Sequence, residues 1–256
     1  MVTVSSAQLL AWIAAFLWPF TRIMGMIAVA PLFGNVAVPA PVKVLLGVTL
    51  SMLVAPGLSN LPELDPISGP ALFILFQQFI IGAAMGFVVR MVFAAVEMAG
   101  EITGMTMGLG FATFFDPQSQ GRSSAISQFL ALVVLMFYLA TNLHLVLLSA
   151  VIDSFQSIPI ALTPMSGGFY RTMAEWGSHI FSAGVQLSLP MVAVLLITNI
   201  ALGVLTRAAP QLNIFGVGFP ITISVGLVML ALVLPYLAVP MEKLFGEAFG
   251  LLARMR

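Results

Sequence analysis

The residues of this sequence that could perform chemistry are few and scattered. The chain of 256 residues carries nine acidic side chains, nine basic side chains and two histidines, and it has no cysteine. His144 and His179 lie far apart in apolar sequence, and no cluster of histidine and glutamate residues offers metal-ligand spacing. The sequence contains no nucleophile elbow, phosphate-binding loop or dinucleotide-binding fingerprint. We therefore predict a protein that is not an enzyme and that needs no cofactor or metal.

The most unusual group of residues lies on one face of a single predicted helix, between residues 82 and 108. At 100° per residue, every charge of this stretch falls within an arc of about 100° that also holds its glycines. Glycines at four-residue spacing allow the backbones of two helices to approach closely. The predicted packing seam consists of Gly82, Gly86, Gly100, Gly104 and Gly108.

Charges set within apolar sequence need protein or water around them, because a charge at the bilayer centre costs about 2.5–3.5 kcal/mol on insertion scales. Glu97 and Glu101 are a like-charge pair one turn apart, and Arg90 lies two turns away on the same side. We expect this face to contact protein or an aqueous conduit; a proton relay through the two acids is the alternative. Pairing of the acids within the chain or with a partner stays open. The predicted intramembrane charges are Arg22, Arg90, Glu97, Glu101 and Arg207.

The elements that position these residues are predicted to be membrane helices. Hydrophobic residues make up 61% of the chain, charged residues only 7%, and the net charge is zero. A soluble domain is about 25% charged, so a water-soluble monomer is excluded and lipid is an expected partner. The neutral chain offers no basic surface to nucleic acid.

Six apolar helices are long enough to cross a bilayer core of about 30 Å. They are predicted over about 7–30, 42–58, 71 to beyond 90, 123–150, 178–204 and 214–240. Residues 151–177 form the longest predicted connector. We treat residues 1–256 as one membrane domain. The basic residues divide equally between the two sides of a six-span arrangement, so the positive-inside rule leaves the orientation open.

The C-terminal tail differs from the rest of the chain. Over about 241–256, apolar residues recur at helical spacing among charged ones. This pattern predicts an amphipathic helix that lies on a membrane surface or docks on a partner.

A segment rich in Met, Phe and Gly follows the third helix and is too short to span a bilayer. Residues 102–115 are free of charge, and the proline of Asp116-Pro117 ends any helix there. Non-helical backbone at membrane depth is tolerated only inside protein or beside water. The loop, about 106–122, is thus either an interfacial loop or a re-entrant gate that seals a pore with apolar side chains. The candidate gate residues are Met105, Met107, Phe111, Phe114, Phe115, Asp116 and Pro117.

Several local patterns follow one another along the chain. Arg22 precedes Pro31-Leu32-Phe33-Gly34, and Gly100-Glu101 precedes Phe114-Phe115-Asp116-Pro117. The last third contains Pro210-Gln211-Leu212-Asn213-Ile214-Phe215. In this order the patterns resemble the FliR family of flagellar biosynthetic proteins, whose relatives serve injectisome type III secretion, over nearly the whole chain.

The resemblance implies a function that composition does not show. FliR-family proteins join FliP and FliQ in the type III export gate, which passes unfolded flagellar subunits out of the cytoplasm together with FlhA and FlhB. It implies an all-α polytopic fold with broken hairpins, packed into a hetero-oligomeric helical assembly. It also implies the bacterial inner membrane and flagellar basal body as location. The loop at about 106–122 matches the family's plug of the closed pore.

Two other functions compete with an export gate. A secondary transporter for a small solute also has broken helices and intramembrane charges, whereas a membrane scaffold needs no conduit. The sequence has no inverted repeat, and apolar residues surround every helix, which favours a subunit that needs partners. The client, flagellar or injectisome, stays open, as do the stoichiometry and the number of true crossings.

Overall fold

The computed structural model describes residues 6–58, 61–62, 64–65, 68–111, 124–210 and 214–255. Within these ranges the regular structure is helical and contains no strand. The long helices consist largely of residues that tolerate helix interiors, with proline near their starts or at single interior positions. The α-helices are α1 Ser6–Val29, α2 Ala40–Val54, α3 Gly69–Thr106, α4 Ala125–Ala140, α5 Leu143–Ser157, α6 Gly167–Ala208, α7 Phe219–Val233 and α8 Ala238–Arg254.

Membrane-spanning capacity is the main property of these helices. Among the described residues, five helical stretches are long and apolar enough to cross a membrane, and the bent pair α4–α5 makes a sixth. In an 18-residue apolar stretch of α3, 61% of the residues are buried within the chain, against 17% in the corresponding stretch of α6. The prediction of an all-α polytopic membrane protein with about six apolar helices and broken hairpins is confirmed.

The prediction of one unbroken helix over 123–150 is wrong. Helix α4 ends at Ala140, and α5 begins at Leu143 after Asn142, whose φ of 57° lies in the left-handed region. Asparagine tolerates this conformation better than most residues, so it accommodates the break. The apolar run on both sides has no proline or glycine to signal it, which is why composition alone missed it.

The prediction of a long connector over 151–177 is also wrong. Helix α5 continues to Ser157 and α6 begins at Gly167, so only residues 158–166 connect them. The first turns of α6 are polar enough to resemble a loop. In the helix, however, Arg171 and Glu175 stand one turn apart and form an ion pair of 2.7 Å.

The C-terminal amphipathic helix is α8, and its apolar face packs on this chain. Met241, Phe245, Ala248 and Leu252 are all buried. The chain itself therefore covers the face that the sequence assigned to a membrane surface or a partner.

The chain divides into two compact units. Unit 1 comprises Met1–Met91, Asn142–Gly177 and Glu247–Arg256, and unit 2 comprises Val92–Thr141 and Ser178–Gly246. In unit 2 an aromatic cluster forms the core, with Tyr138 and Phe245 at 5.5 Å between ring centroids and Phe93 edge-on to both. In unit 1 the core surrounds Trp18 and Arg22, both fully buried. The single-domain assignment over 1–256 stays a prediction.

Candidate functional site

Two glycines of the predicted seam lie against α1 in unit 1. A β-carbon on Gly82 would collide with the carbonyl oxygen of Arg22, and one on Gly86 would lie 2.8 Å from the carbonyl oxygen of Met26. Real β-carbons do not approach backbone this closely. The two glycines therefore let α1 and α3 cross in backbone contact.

Arg22, predicted as an intramembrane charge, is fully buried in unit 1 and bonded to neutral groups. Its Nε donates to Gln78 Oε1 at 2.7 Å, and its Nη1 donates to the carbonyl and hydroxyl oxygens of Ser154 at 2.9 and 3.0 Å. Its Nη2 donates to the carbonyl oxygen of Ile158 at 2.8 Å. The guanidinium also lies 4.3 Å from the centroid of the Phe155 ring.

This arrangement makes Arg22 a cap for the C-terminus of α5. Helix C-termini carry carbonyl oxygens without intrahelical partners and the negative end of the helix dipole, and both favour a cation. Ser154 lies in the last turn of α5, and Ile158 follows its end. A buried arginine without a carboxylate is thus stabilised by a helix end, a glutamine and an aromatic face.

Sequence reasoning missed Gln78 as a partner of Arg22 and missed two other buried hydrogen bonds of unit 1. Gln78 is fully buried, and its neighbour Gln77 donates through Nε2 to the carbonyl oxygen of Thr163 at 2.8 Å. Trp176 donates through Nε1 to the carbonyl oxygen of Val88 at 3.0 Å. The Gln77-Gln78 pair inside an apolar helix was the available signal, since buried amides need hydrogen-bond partners.

Two further seam glycines lie against the start of α4 in unit 2. A β-carbon on Gly100 would lie 2.5 Å from the Cα of Ser127, and one on Gly104 would lie 2.8 Å from the hydroxyl of Ser124. The predicted seam thus has two different partner helices along its length, α1 and α4, both within this chain. Side chains larger than hydrogen would separate α3 from each of them.

Glu101 caps α4 from the neighbouring helix α3. Its Oε1 accepts a hydrogen bond of 2.7 Å from the backbone N–H of Ser124, the residue that precedes α4. Ser124 in turn accepts from the N–H of Ser127, as an N-cap serine does. A capping box normally takes its carboxylate from the third residue of the same helix. Here that position is Ser127, and α3 supplies the carboxylate.

Glu97 is used differently from Glu101. Its backbone carbonyl oxygen accepts from the Ser127 hydroxyl at 2.9 Å, and its half-buried side chain makes no ion pair with a described residue. Arg90 and Arg207 are exposed, and neither forms a salt bridge within the described ranges. Glu97 and Glu101, one helical turn apart, therefore have separate structural roles.

The loop after α3 is fastened where it leaves the helix. Met107 is fully buried, its side chain fills the space beside Gly226, and its carbonyl oxygen accepts from the Thr222 hydroxyl at 3.0 Å. Gly108 has a φ of 89°, which a glycine adopts without strain, so the helix ends before it rather than including it as predicted. Met105, by contrast, is exposed.

The remaining gate residues belong to the loop that follows Gly108. Phe114, Phe115, Asp116 and Pro117 lie outside the described residues, and only the backbone of Phe111 is described, in a short 3-10 turn over Leu109–Phe111. In the described part of the chain, no three acidic or histidine side chains lie close enough together to hold a metal ion.

Comparison with known families decides the identity of the chain. The model of the family described as "Bacterial export proteins, family 1" matches residues 13–248. This chain belongs to that family. The match includes Arg22 and its partners, Glu101, Ser124 and the whole of the loop between α3 and α4.

Individual relatives agree with the family match and extend it over nearly the full length. The flagellar biosynthetic protein FliR of Pectobacterium carotovorum subsp. carotovorum is 41% identical over 254 residues, which cover 99% of this chain and 97% of the relative. FliR of Escherichia coli strain K12 is 40% identical over 253 residues, with the same coverage. FliR of Bacillus subtilis strain 168 is 32% identical over 234 residues, 90% of each chain. The resemblance to the FliR family is confirmed.

Proposed function

We propose that this bacterial export family member is a non-enzymatic subunit of the type III protein export gate of the flagellum. With FliP- and FliQ-type subunits it forms the pore for unfolded flagellar substrates, and FlhA- and FlhB-type proteins act beside it at the inner membrane. The observation that carries this proposal is the 41% identity to a flagellar biosynthetic protein over 99% of the chain. Because the similarity covers nearly the whole chain, we expect the chain to share the function of that relative.

The dimensions of the long helices support a subunit that needs protein neighbours. Helix α6 has 42 residues, which at 1.5 Å per residue makes about 63 Å, twice the thickness of a bilayer core. Large apolar side chains are exposed along it, from Phe181 to Val204. This exposed apolar stretch of 24 residues, about 36 Å long, needs lipid or a partner subunit to cover it.

Polar residues on the same helix support this interpretation. Gln186 is exposed in the middle of α6, between turns that are almost wholly apolar. An amide facing hydrocarbon costs free energy unless it is hydrogen-bonded. A partner subunit supplies both the apolar cover and a hydrogen-bond partner.

The loop between α3 and α4 is proposed as the plug of the closed pore. On the α3 side, the loop is anchored by Met107, which hydrogen-bonds to Thr222 and packs beside Gly226. On the α4 side, it is anchored by Ser124, which hydrogen-bonds to Glu101 and contacts Gly104. Firm anchors on both sides suit a loop that returns to one closed position. Phe111, Phe114 and Phe115 are proposed to supply apolar bulk for sealing together with Met105, with Met107 as the anchor and Asp116 and Pro117 as further members of the plug.

Complementation tests the proposal directly. Expressed in Escherichia coli lacking its own FliR, the chain should restore export of flagellar subunits and co-purify with FliP- and FliQ-type subunits. Failure of both, with the chain present in the membrane, would contradict the proposal. A purified chain that is stable alone and binds a small solute would instead identify a secondary transporter.

A further inference from the structure

An open groove of about 680 Å³ runs along α5 and the last turns of α8, wholly within unit 1. Its polar lining comes from α5, with Ser149, Asp153, Gln156 and Ser157. Its apolar lining includes Met85, Phe249, Leu252 and Met255. The groove is therefore amphipathic in cross-section, and nothing in the export-gate function already assigns it a ligand.

The polar lining of this groove consists mainly of hydrogen-bond acceptors. Asp153 is the single charged residue of the lining, it is exposed, and it makes no ion pair with a described residue. The hydroxyl of Ser149 donates to the carbonyl oxygen of Val146 at 2.9 Å, and that of Ser157 donates to the carbonyl oxygen of Asp153 at 3.4 Å. Each hydroxyl hydrogen is used in the bond to a backbone carbonyl, so toward the groove each hydroxyl can act only as a hydrogen-bond acceptor.

The hydroxyl oxygens on either side of the Asp153 carboxylate favour a cation that has several N–H donors. Ser149 and Ser157 stand one turn before and one turn after Asp153, so the three oxygens line one face of α5. The buried Arg22 already caps the C-terminal end of α5, so the negative charge that the groove presents comes from Asp153. Lysine and arginine carry such a cation at the end of an aliphatic stem, and the stem packs well on apolar surface.

We propose that this groove binds a lysine or arginine side chain presented by a segment of a partner protein. The ammonium or guanidinium group pairs with Asp153 and hydrogen-bonds to Ser149 and Ser157. The aliphatic stem lies against Phe249, Leu252 and Met255. The proposal does not depend on the export-gate function, because it follows from the lining of the groove alone.

The charge preference of the groove is testable with thiol chemistry, since the chain has no cysteine of its own. Gln156→Cys places one thiol in the lining, and Val36→Cys places one in an exposed loop as a control. In the purified full-length chain, the rates of reaction with a cationic trimethylammonium-ethyl and an anionic sulfonatoethyl methanethiosulfonate are compared. Asp153→Asn should lower the ratio of cationic to anionic rates by roughly thirtyfold at Gln156→Cys, because one charge about 4 Å away in water changes each rate about fivefold and in opposite directions.

The same measurement separates the proposal from two simpler accounts. The ratio at Val36→Cys should not respond to Asp153→Asn. An unchanged ratio at Gln156→Cys would show that the carboxylate does not set the potential of the groove, and would overturn the proposal. A ratio that rises in the Arg256→Gln variant would show that Arg256 of this chain pairs with Asp153, and would overturn the proposal as well.

Occupancy by a partner is tested in native membranes that contain the other export components. There, Gln156→Cys should react several-fold more slowly than in the purified chain, and Asp153→Glu should keep this protection. Asp153→Asn and Asp153→Lys should abolish it, whereas Glu242→Gln, which removes an exposed acid elsewhere, should leave it intact. Equal reactivity in membranes and in the purified chain, or protection that survives both Asp153→Asn and Asp153→Lys, would refute the proposal.

Discussion

Gly82 of α3 and Arg22 of α1 meet backbone to backbone, with no room for a β-carbon between them. The Arg22 side chain leaves this same crossing and bonds to Gln78 on α3 and to Ser154 on α5. One crossing therefore joins three helices of unit 1. The close approach of the two backbones at Gly82 brings Gln78 of α3 within hydrogen-bond distance of the Arg22 guanidinium. The hydrogen bonds of Arg22 therefore depend on Gly82.

Enlarging Gly82 should destabilise the chain. In Gly82→Ala the new methyl group overlaps the Arg22 carbonyl, so α1 and α3 must separate, at a cost of about 1–3 kcal/mol or more in unfolding free energy. Gly177→Ala is the matched control, because a β-carbon there meets nothing within 4 Å and alanine favours the helix. The unfolding free energy of each purified variant is measured in detergent solution. Equal values for Gly82→Ala and Gly177→Ala would contradict the close approach of α1 and α3.

Replacing Arg22 with lysine should be costly although the charge is kept. An ammonium group cannot reach Gln78, Ser154 and Ile158 together, so buried acceptors lose their donors, each at about 1–3 kcal/mol. We expect a lower unfolding free energy and faster hydrogen exchange in the last turn of α5. Arg207→Lys, at an exposed position, should change neither quantity. Exchange in α5 that is unaffected by Arg22→Lys would argue against the cap.

Glu101 and Glu97 should respond differently to the same substitution. Glu101→Leu removes the acceptor of the Ser124 N–H and should expose that amide to exchange, with a loss of about 1–3 kcal/mol. Glu101→Gln keeps the acceptor and should lose less. In Glu97→Leu the carbonyl that binds Ser127 remains, so exchange at the start of α4 should be nearly unchanged. Equal effects of the two leucine variants would show that the acids act as a pair.

Deleting Phe111–Gln120 should leave the export complex assembled but make the membrane leak ions. Gly104 and Ser124 are in contact, and Gly108 lies about 6 Å further along the chain. The five residues left between Gly108 and Ser124 can span up to about 16 Å, so the shortened loop closes without pulling on either anchor. Co-purification reports assembly, and ion flux in cells reports the leak.

A length control separates the seal from the connection. Replacing the same ten residues with a Gly-Ser linker keeps the loop length but removes its apolar bulk, and it should leak as the deletion does. An assembled deletion complex that stays ion-tight would exclude this loop as the plug.

The long helices and the family could be predicted from the sequence, because both depend on patterns that are local along the chain. Stretches free of charge and twenty residues long form membrane helices almost regardless of their neighbours. The break at Asn142 and the early start of α6 at Gly167 were missed for the converse reason. A left-handed asparagine in an apolar run, and a polar first turn stabilised by Arg171 and Glu175, are local exceptions that composition does not reveal.

The sequence by itself determined that this chain is an all-helical membrane protein whose few charges need protein or water around them. Only the tertiary structure decided which groups meet those charges. Arg22 and Ser154 lie 132 residues apart, and Glu101 binds Ser124 rather than a basic residue of its own helix such as Arg90. The free energy of placing an ionised group in apolar surroundings depends on its residue type, whereas the identity of its partner depends on how the helices pack.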